Sequence, residues 1–338
     1  MQKRNRGVQY PEYGKIFSVE RNLYSLSEYD RHEGDKPVII ILGPTGVGKT
    51  ETSVFLARSI GSEIISADSM QIYRHMDIGT AKPTRGDTGK VRHHMIDIVE
   101  PSESFSTGRY IEMVRPLIEG LHCRGKIPLI VGGTGLYIRA MTRGFFSGPS
   151  ADWGLRDELL SMEQGAPGSL FDYLKRLDPD AAERIMAGDK RRVIRAIEVC
   201  LRIHKGISEL QRSFTIPLPY RFIKIGLTRE RWELYRAIER RVDMMISRGL
   251  VDEVKRLYEL PLGKTARQAI GYKEIADYLK GAISLDEAVS LIKKRTKNYA
   301  KRQFTWFRKE PGVTWIDVTG FSGPMEVFRA IAIMLKID

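Results

Sequence analysis

Cysteine is almost absent from this chain, and its two cysteines form no pattern. Cys123 and Cys200 lie far apart, with no C-x-x-C pair and no spacing that suits a metal ion. Structural disulfides belong to oxidising compartments, and cysteine metal sites come as closely spaced pairs. The sequence therefore predicts neither a disulfide framework nor a zinc site, and it indicates a reducing compartment.

Long apolar runs are absent as well. No stretch of the chain approaches the ~20 apolar residues that a membrane-spanning helix needs. The charged N-terminus is not followed by the apolar segment of a signal peptide, and there are no internal repeats or low-complexity tracts. We expect a soluble, cytosolic protein without a membrane partner.

Acidic residues are in the minority. The 338 residues include 55 Lys and Arg against 42 Asp and Glu, a formal net charge of +13. Such an excess is common in proteins that bind phosphate backbones, although generic basicity gives the same number. The position of the cations along the chain has to decide between these explanations.

The stretch from Val38 to Thr52 carries the strongest chemical signal that is present. It begins with an apolar run rich in β-branched residues, which predicts a buried strand. The next residues fit G-x-x-x-x-G-K-[ST], a loop whose backbone N–H groups surround an anion at the start of a helix. The predicted phosphate contacts are Gly43, Pro44, Thr45, Gly46, Val47, Gly48, Lys49 and Thr50. The Thr50 hydroxyl can also bind Mg²⁺. The pattern predicts a ligand with two linked phosphates and does not identify it as ATP.

Strand and helix patterns alternate from residue 36 to about residue 148. Further strands are predicted at 63–67, 93–99 and 127–131, with helices at 104–121 and from Leu136. Alternation with short connections is typical of a parallel sheet covered by helices. The predicted fold class is therefore α/β, with a P-loop NTPase-like parallel sheet flanked by helices.

The composition changes near Ser147, and the following pattern is entirely helical. We predict an inserted helical domain at 149–204, with helices at 155–162, 169–177, 179–187 and 189–203. A strand at 221–227 indicates that the core domain, 36–148 and 205–338, resumes after it. Its last part is predicted as helices at 231–248, 251–260, 266–280 and 286–309, a strand at 313–316 and a helix at 325–335. Residues 1–35 form an extension that the sequence does not place.

Asp68 follows a predicted strand, where ligands of open α/β sheets bind. A carboxylate at this position can act as a general base, a metal ligand or a helix cap. The turn from Asp68 to Gln71 combines a carboxylate, a hydroxyl and an amide, which suits the binding and deprotonation of a polar heterocycle. Thr134 lies in a glycine-rich turn after another strand and can hydrogen-bond a substrate, although glycines there also have steric explanations.

A Walker B strand, which ends in Asp and helps to hold Mg²⁺ in many nucleoside triphosphate enzymes, is missing. The predicted strand at 127–131 ends in glycine, and Asp97 continues into an apolar residue pair. This weakens the case for an ATPase. A small-molecule kinase that uses ATP and a non-catalytic RNA-binding module remain as alternatives.

Cations cluster on the predicted C-terminal helix with no acidic residue among them. They are Lys293, Lys294, Arg295, Lys297, Lys301, Arg302, Arg308 and Lys309. Close like charges on a helix repel by a few tenths of a kcal/mol per pair. A solvated face is the simple explanation, but further basic segments at 189–195 and 264–273 favour a nucleic-acid partner.

Taken together, these residues resemble the tRNA dimethylallyltransferase (tRNA isopentenyltransferase) family. The Asp-Ser-x-Gln-x-Tyr run beside the phosphate loop is specific to this group. The matching motifs are GPTGVGKT at 43–50, ISADSMQIYRHMDIGTAKPT at 65–84, HHMIDIVEP at 93–101, LIVGGTGLYIRA at 129–140, RRVIRAIEV at 191–199, ARQAIGYKE at 266–274 and KRQFTWFRK at 301–309.

The resemblance implies an activity and an acceptor. The family transfers a dimethylallyl group from dimethylallyl diphosphate, with Mg²⁺, to N6 of the adenine 3′ of the anticodon in tRNAs that read codons beginning with U. Asp68 would be the general base, and Thr134 would be a second catalytic residue that contacts the tRNA at the reaction channel. The resemblance assigns the helical insertion to tRNA binding, and a monomer could complete the site alone.

The resemblance also implies a set of tRNA contacts on the anticodon stem-loop. The residues are Asp68, Ser69, Met70, Gln71, Thr134, Arg156, Arg191, Arg192, Arg195, Gln268, Gly271, Tyr272, Lys273, Lys301, Arg302, Gln303, Trp306 and Arg308. One departure stands out in the helix at 231–248, where the family usually has Arg before Ile238 and this chain has Ala237. Arg236 is rotated by about 100° around the helix, so no diphosphate contact is predicted from it.

Overall fold

The structure is a computed structural model that describes residues 16–17, 36–84, 86, 89–146 and 148–337. The chain divides into two compact units, one made of Met1–Ile138 and Pro219–Asp338 and the other of Arg139–Leu218. The second unit extends beyond the predicted insertion, 149–204, on both sides. The reason is that its two ends pair, since the Leu218 amide donates to the Met141 carbonyl at 2.9 Å. The predicted extension, 1–35, lies outside the described residues except for the backbone of 16–17.

The first unit is built on a single seven-stranded sheet. Its strands are β1 (Ile16–Phe17), β2 (Pro37–Leu42), β3 (Ile64–Ala67), β4 (His93–His94), β5 (Leu129–Gly132), β6 (Arg221–Thr228) and β7 (Val313–Asp317). Their order is β1-β7-β6-β2-β5-β3-β4. Only β1 is antiparallel to its neighbour, and the other six strands are parallel. The predicted α/β class with a parallel sheet is therefore confirmed.

Helices cover the sheet and extend the first unit. They are α1 (Lys49–Ser59), α2 (Thr107–Cys123), α3 (Gly135–Arg143), α9 (Arg231–Ser247), α10 (Leu250–Leu257), α11 (Lys264–Arg267), α12 (Tyr272–Leu279), α13 (Leu285–Phe307) and α14 (Pro324–Leu335). The second unit contains the end of α3 and five helices: α4 (Trp153–Gly165), α5 (Ser169–Leu177), α6 (Pro179–Arg184), α7 (Lys190–Ile203) and α8 (Ile207–Phe214). Among the residues that the structure describes, no helix is both long enough and apolar enough to cross a membrane.

Two sequence predictions of local structure were wrong at turns. The strand predicted at 93–99 ends at His94, because Met95 and Asp97 adopt positive φ angles of 61° and 54° that break the extended chain. The helix predicted at 266–280 is two helices, α11 and α12, because Gly271 at φ 96° interrupts it. Helix α8 was not predicted, although Ile207 and Leu210 contribute to the core of the second unit.

Apolar side chains of the first unit form two large clusters. One surrounds the sheet and includes the central strand β2, all six of whose residues are buried. The other joins Ile72 and Tyr73 to α10, α12 and α13. A strand that is covered on both faces is a continuous apolar run, as β2 is in the sequence. The clusters hold the carboxyl ends of β2, β3 and β5 and the helices α9 and α13 in fixed positions.

Candidate active site

The phosphate loop occupies the predicted position between β2 and α1. Gly43 has φ 147°, and a Cβ there would lie 2.5 Å from the Leu227 carbonyl oxygen, so only glycine fits. Gly48, at φ 102°, leads directly into α1. The Val47 side chain is fully buried in the sheet cluster and anchors the loop, so the predicted contact at this position can come only from its backbone. Because the loop leads directly into the N-terminus of α1, the positive end of the α1 dipole faces the loop.

Lys49 is folded back onto the loop. Its Nζ donates to the carbonyl oxygens of Gly43, at 2.9 Å, and Pro44, at 2.8 Å. The pKa of Lys49 is lowered from 10.5 to about 7, first by burial and then by the Arg241 guanidinium, while the Asp68 carboxylate opposes both effects. An anion in the loop would favour the charged ammonium, because its negative charge would compensate for the solvation that Lys49 loses on burial.

Arg241, on α9, adds a second cation that the sequence analysis missed. Its Nη1 donates to the Thr45 hydroxyl at 3.2 Å, and its side chain lines the same cavity as Lys49 and Asp68. Burial lowers the pKa of Arg241, while the carboxylates of Asp68 and Glu51 oppose the shift. A signal was present, because Arg241 falls at helical spacing among the inward-facing residues Ile238 and Val242.

The Asp68 turn and the Thr134 turn meet at the ends of β3 and β5. One carboxylate oxygen of Asp68, Oδ1, accepts from the Met70 amide at 2.8 Å and from the Gln71 amide at 3.3 Å. The Thr134 hydroxyl accepts from the Ser69 amide at 3.0 Å, and the Thr134 amide donates to the Ala67 carbonyl at 3.1 Å. The structure thus brings the two predicted catalytic residues together and fixes the turn that carries Asp68.

Gln71 spans the site through its amide group. Its Oε1 accepts from the Ser66 hydroxyl at 3.2 Å, and its Nε2 donates to the Thr80 and Ala81 carbonyls, both at 3.3 Å. These bonds hold the segment around Thr80 over the cavity. The predicted contact between Gln71 and tRNA stays a prediction.

Helix α13 places three side chains at the site. The Gln303 amide bridges two loops, because its Oε1 accepts from the Thr45 amide at 2.9 Å and its Nε2 donates to the Gly133 carbonyl at 2.8 Å. Trp306 packs on Gly135, where a Cβ would lie 2.3 Å from the indole ring. Tyr299 lines the cavity and was missed by the sequence analysis; burial and the Asp68 charge raise its pKa, which keeps the phenol neutral.

Two connected cavities adjoin the phosphate loop. The polar cavity is lined by Lys49, Thr50, Asp68, Arg241 and Gln303 among other residues. The apolar cavity has a volume of about 250 Å³. Its apolar lining consists of Met70, Ile238, Val242, Met245, Ala269, Ile270 and Ile292. Thr45, Asp68, Thr80, Arg241 and Tyr299 line both cavities. The site therefore offers cations at one end, hydrocarbon at the other and a carboxylate at the junction.

The residues at the loop fit a Mg²⁺ ion that takes most of its ligands from a substrate. In the described part of the chain, no group of three or more His, Cys, Asp and Glu side chains could hold a metal ion. Mg²⁺ prefers oxygen ligands and commonly binds through one carboxylate or hydroxyl together with substrate phosphates and water. The Thr50 hydroxyl and the Asp68 carboxylate line one cavity and offer that chemistry.

The expectation that the cations of α13 lack counter-charges was wrong for three of them. Lys293 pairs with Asp243 at 2.6 Å, and Arg295 and Lys297 pair with Glu274 and Glu239. These carboxylates come from α9 and α12, so the sequence of α13 does not reveal them. The other cations, Lys294, Lys301, Arg302, Arg308 and Lys309, are exposed and form no ion pair with any residue that the structure describes.

The segment from Gln268 to Lys273 is divided between the cavity and the core. Gln268 and Gly271 line the apolar cavity. Tyr272 is fully buried, its hydroxyl donates to Glu253 at 2.6 Å, and its ring packs against Gly79. The predicted tRNA contact of the Tyr272 side chain was therefore wrong, because no part of that side chain reaches the surface. Lys273 is half-buried.

Two of the four predicted tRNA residues of the second unit, Arg156 and Arg195, contact a buried carboxylate. Arg156 makes two hydrogen bonds to Glu198, at 3.0 and 2.8 Å, and Arg195 makes a third at 2.5 Å. Burial would raise the pKa of Glu198, but the hydrogen bonds from Arg156, the Asp152 amide and Arg195 bring it below its usual value. Arg191 and Arg192 are exposed on α7, and their role in tRNA binding stays a prediction.

The fold and the site define a P-loop α/β protein whose phosphate site opens into an apolar cavity. Two family models match the chain: IPP transferase over residues 71–310 and isopentenyl transferase over residues 36–103. The chain belongs to the IPP transferase family.

Similar proteins agree with this assignment. The tRNA dimethylallyltransferase of Thermodesulfovibrio yellowstonii is 58% identical over 84% of this chain and 93% of its own length. The crystal structure of the full-length tRNA isopentenylpyrophosphate transferase from Bacillus halodurans matches with a TM-score of 0.65 at 44% identity, covering 89% of this chain and 97% of that chain. The structure of a eukaryotic dimethylallyltransferase acting on tRNA matches with a TM-score of 0.76 at 32% identity, covering 88% of this chain and 78% of that chain.

Proposed function

We propose that this protein is a transferase that moves a dimethylallyl group from dimethylallyl diphosphate to N6 of the adenine 3′-adjacent to the anticodon, in tRNAs that read codons beginning with U. Diphosphate is the second product. The family membership supports prenyl transfer to tRNA. The observation that carries the proposal is the pair of joined cavities, with cations at one end, hydrocarbon at the other and Asp68 between them.

The donor fits this arrangement because it is a small amphiphile. Its diphosphate would lie in the phosphate loop, against the backbone amides, Lys49 and Arg241. Its hydrocarbon tail would lie against the face of α9 formed by Ile238 and Val242, which are both buried beside Arg241. Burial of each CH₂ group would contribute about 0.8 kcal/mol.

The reaction needs a leaving group and a base. The C1–O bond of the donor breaks and its electron pair leaves with the diphosphate, whose charge Lys49 and Arg241 stabilise. Mg²⁺, held by Thr50 and the phosphate oxygens, would neutralise further charge on the diphosphate. The adenine N6 forms a bond to C1 and loses a proton, which Asp68 accepts. Thr134 would hold the Asp68 turn in position through the Ser69 amide.

The acceptor would be held by exposed cations. Lys301 and Arg302 lie on α13, the helix that also carries Gln303 into the site, and Arg308 follows the last residue of that helix. The target adenine has to leave its stack to reach Asp68, as other base-modifying enzymes require. Both substrates, and the reducing environment that the cysteines indicate, are consistent with a cytoplasmic enzyme. Because one chain supplies all the lining residues of the two cavities, the enzyme would act as a monomer.

The alternative of a small-molecule kinase that uses ATP is not favoured. The family match runs over residues 71–310, which include the Asp68 turn's Gln71 and the cations of α13. A kinase would have no use for an apolar cavity that opens from its phosphate loop beside a basic helix.

The proposal is tested by incubating the protein with dimethylallyl diphosphate, Mg²⁺ and an unmodified tRNA that reads a codon beginning with U. The tRNA is then digested to nucleosides, and the mass of the adenosine is measured by mass spectrometry. We expect one dimethylallyl group per tRNA, and none on a matched tRNA with guanine at the target position. Turnover of ATP without any prenylated adenosine would contradict the proposal.

A further inference from the structure

A second space adjoins the apolar cavity along α9. This second space, a groove of about 800 Å³, runs along the outer face of the phosphate loop, where it is lined by Gly46, Gly48, Lys82, Arg240 and Arg248 among other residues. Within the described part of the chain, only Arg241 and Met245 line both the groove and the apolar cavity. These two side chains therefore lie at the boundary between the groove and the apolar cavity.

Met245 is the apolar residue at this boundary. It follows Arg241 by one helical turn, about 6 Å along the axis of α9. It lies on the same face as Ile238 and Val242, and its half-buried side chain packs against the cluster around Ile72. Methionine is unbranched and fills irregular space well. Its neighbour Met244 is 48% exposed and lines only the groove.

We propose that Met245 sets the length of the prenyl chain that this enzyme accepts. The inference rests on the proposed function and deepens it. Arg241 and the phosphate loop fix the diphosphate, so the donor tail extends along α9 toward Met245. In this placement a second isoprene unit would meet the Met245 side chain, which lines the boundary between the apolar cavity and the groove. Beyond Met245 the groove has room for a longer tail, and shortening this residue opens the way to it.

The chemistry is unchanged with the longer donor. In geranyl diphosphate the C1–O bond breaks, diphosphate leaves with the electron pair, and adenine N6 forms the new bond to C1. The N6 proton goes to Asp68. Only the fit of the additional five carbons distinguishes the two donors, so Met245 acts on specificity and does not take part in the reaction.

The test compares dimethylallyl and geranyl diphosphate as donors for the native protein and for Met245→Ala. The ratio of kcat/KM for geranyl to that for dimethylallyl diphosphate is measured from the masses of the nucleosides formed. We expect Met245→Ala to raise this ratio at least about tenfold, the lower end of what a few methylene groups contribute in an apolar pocket. Met244→Ala, which changes the groove alone, is expected to leave the ratio unchanged.

The outcomes separate this inference from the function on which it rests. If native protein prenylates tRNA and Met245→Ala leaves the ratio unchanged, the chain-length role is wrong and the proposed function stands. If native protein transfers neither group, the proposed function fails first. Met245→Val, which shortens the side chain with less loss of packing, replaces the alanine variant if that protein does not fold, and it is expected to shift the ratio in the same direction.

Discussion

Asp68 combines a structural and a chemical task in one carboxylate. Its Oδ1 caps the turn by accepting from the Met70 and Gln71 amides, and the residue lines both cavities of the site. The capping role follows from geometry alone, and it means that a substitution can alter the turn as well as the chemistry. An asparagine at this position retains an oxygen acceptor and removes the base.

We therefore expect Asp68→Asn to lower single-turnover prenylation by a factor of about 10² to 10⁴, the usual contribution of a general base. The affinity for tRNA should change little, because the turn keeps its cap. Rapid-quench kinetics and filter binding measure the two quantities. A variant with weakened tRNA binding and native turnover on bound tRNA would contradict the role of Asp68 as the base.

Lys49 makes diphosphate binding depend on pH. Burial holds its pKa at about 7 in the ligand-free loop, below its ordinary value of 10.5. Above pH 7 the lysine is therefore largely neutral before binding and charged after it, so binding takes up a proton. Affinity for diphosphate should fall as the pH rises from 7 toward 9.

Calorimetry of inorganic diphosphate binding at pH 8, in buffers of different ionisation enthalpy, measures this uptake. We expect the native protein to take up between about half a proton and one proton more per diphosphate than Lys49→Met, because protons that belong to the diphosphate contribute to both measurements. An equal uptake in the two proteins would show that the lysine is already charged in the empty loop.

At the scale of single elements, α9 and α13 determine the site. Helix α9 contributes Arg241 and an apolar stripe on one face, a pattern that matches a charged head with a short tail. Helix α13 contributes Gln303 to the inside and a row of exposed cations to the outside. Lys293, Arg295 and Lys297 of this helix are neutralised by carboxylates of α9 and α12, in contrast to the exposed cations.

This division predicts unequal effects on tRNA affinity. Replacing the unpaired cation in Arg302→Ala should weaken tRNA binding and make the plot of log affinity against log salt shallower by about one unit. The matched variant Lys293→Ala removes a cation that Asp243 already neutralises, so its salt slope should stay close to native. Fluorescence anisotropy across a salt series measures both slopes. Equal slopes for the two variants would contradict the assignment of the unpaired cations to the tRNA backbone.

At the scale of the whole molecule, buried carboxylates join distant segments. Glu63, beside the start of β3, accepts from His94 at 2.7 Å and Lys126 at 2.9 Å, and Arg124 lies at 3.3 Å. Burial would raise the pKa of Glu63, but these partners lower it from 4.5 to about 2. Because the folded-state pKa is depressed, the stability that this carboxylate contributes is present above pH 4.5 and is lost as the pH falls toward 2.

The difference in unfolding midpoint between native protein and Glu63→Gln should therefore be largest near neutral pH and shrink between pH 4.5 and 2. Urea unfolding followed by circular dichroism at several pH values measures it. Glu119→Gln alters a carboxylate that accepts a long hydrogen bond from Tyr220, at 3.4 Å, and provides a control with a smaller effect. A difference that stays constant across this range would exclude the linkage to Glu63 ionisation.

The sequence alone determined the alternation of strands and helices that is typical of a parallel sheet, the phosphate loop and the turn at Asp68, because each depends on residues that are close in the chain. Glycines at 43 and 48 fix the loop, and an apolar β-branched run fixes β2, whatever surrounds them. The sequence analysis missed the early end of β4 at His94 and the break between α11 and α12 at Gly271. Positive φ angles at single residues cause both, and they interrupt a pattern that extends over many residues.

Only the tertiary structure decided which distant side chains meet. It brings Arg241 to Thr45, buries Tyr272 on Glu253, and neutralises Lys293 with Asp243. It also places Met245 between two cavities that no local pattern reveals. The physical reason is that hydrogen bonds, ion pairs and cavities depend on how helices and strands pack together, and residues far apart in the chain carry no local signal of that packing.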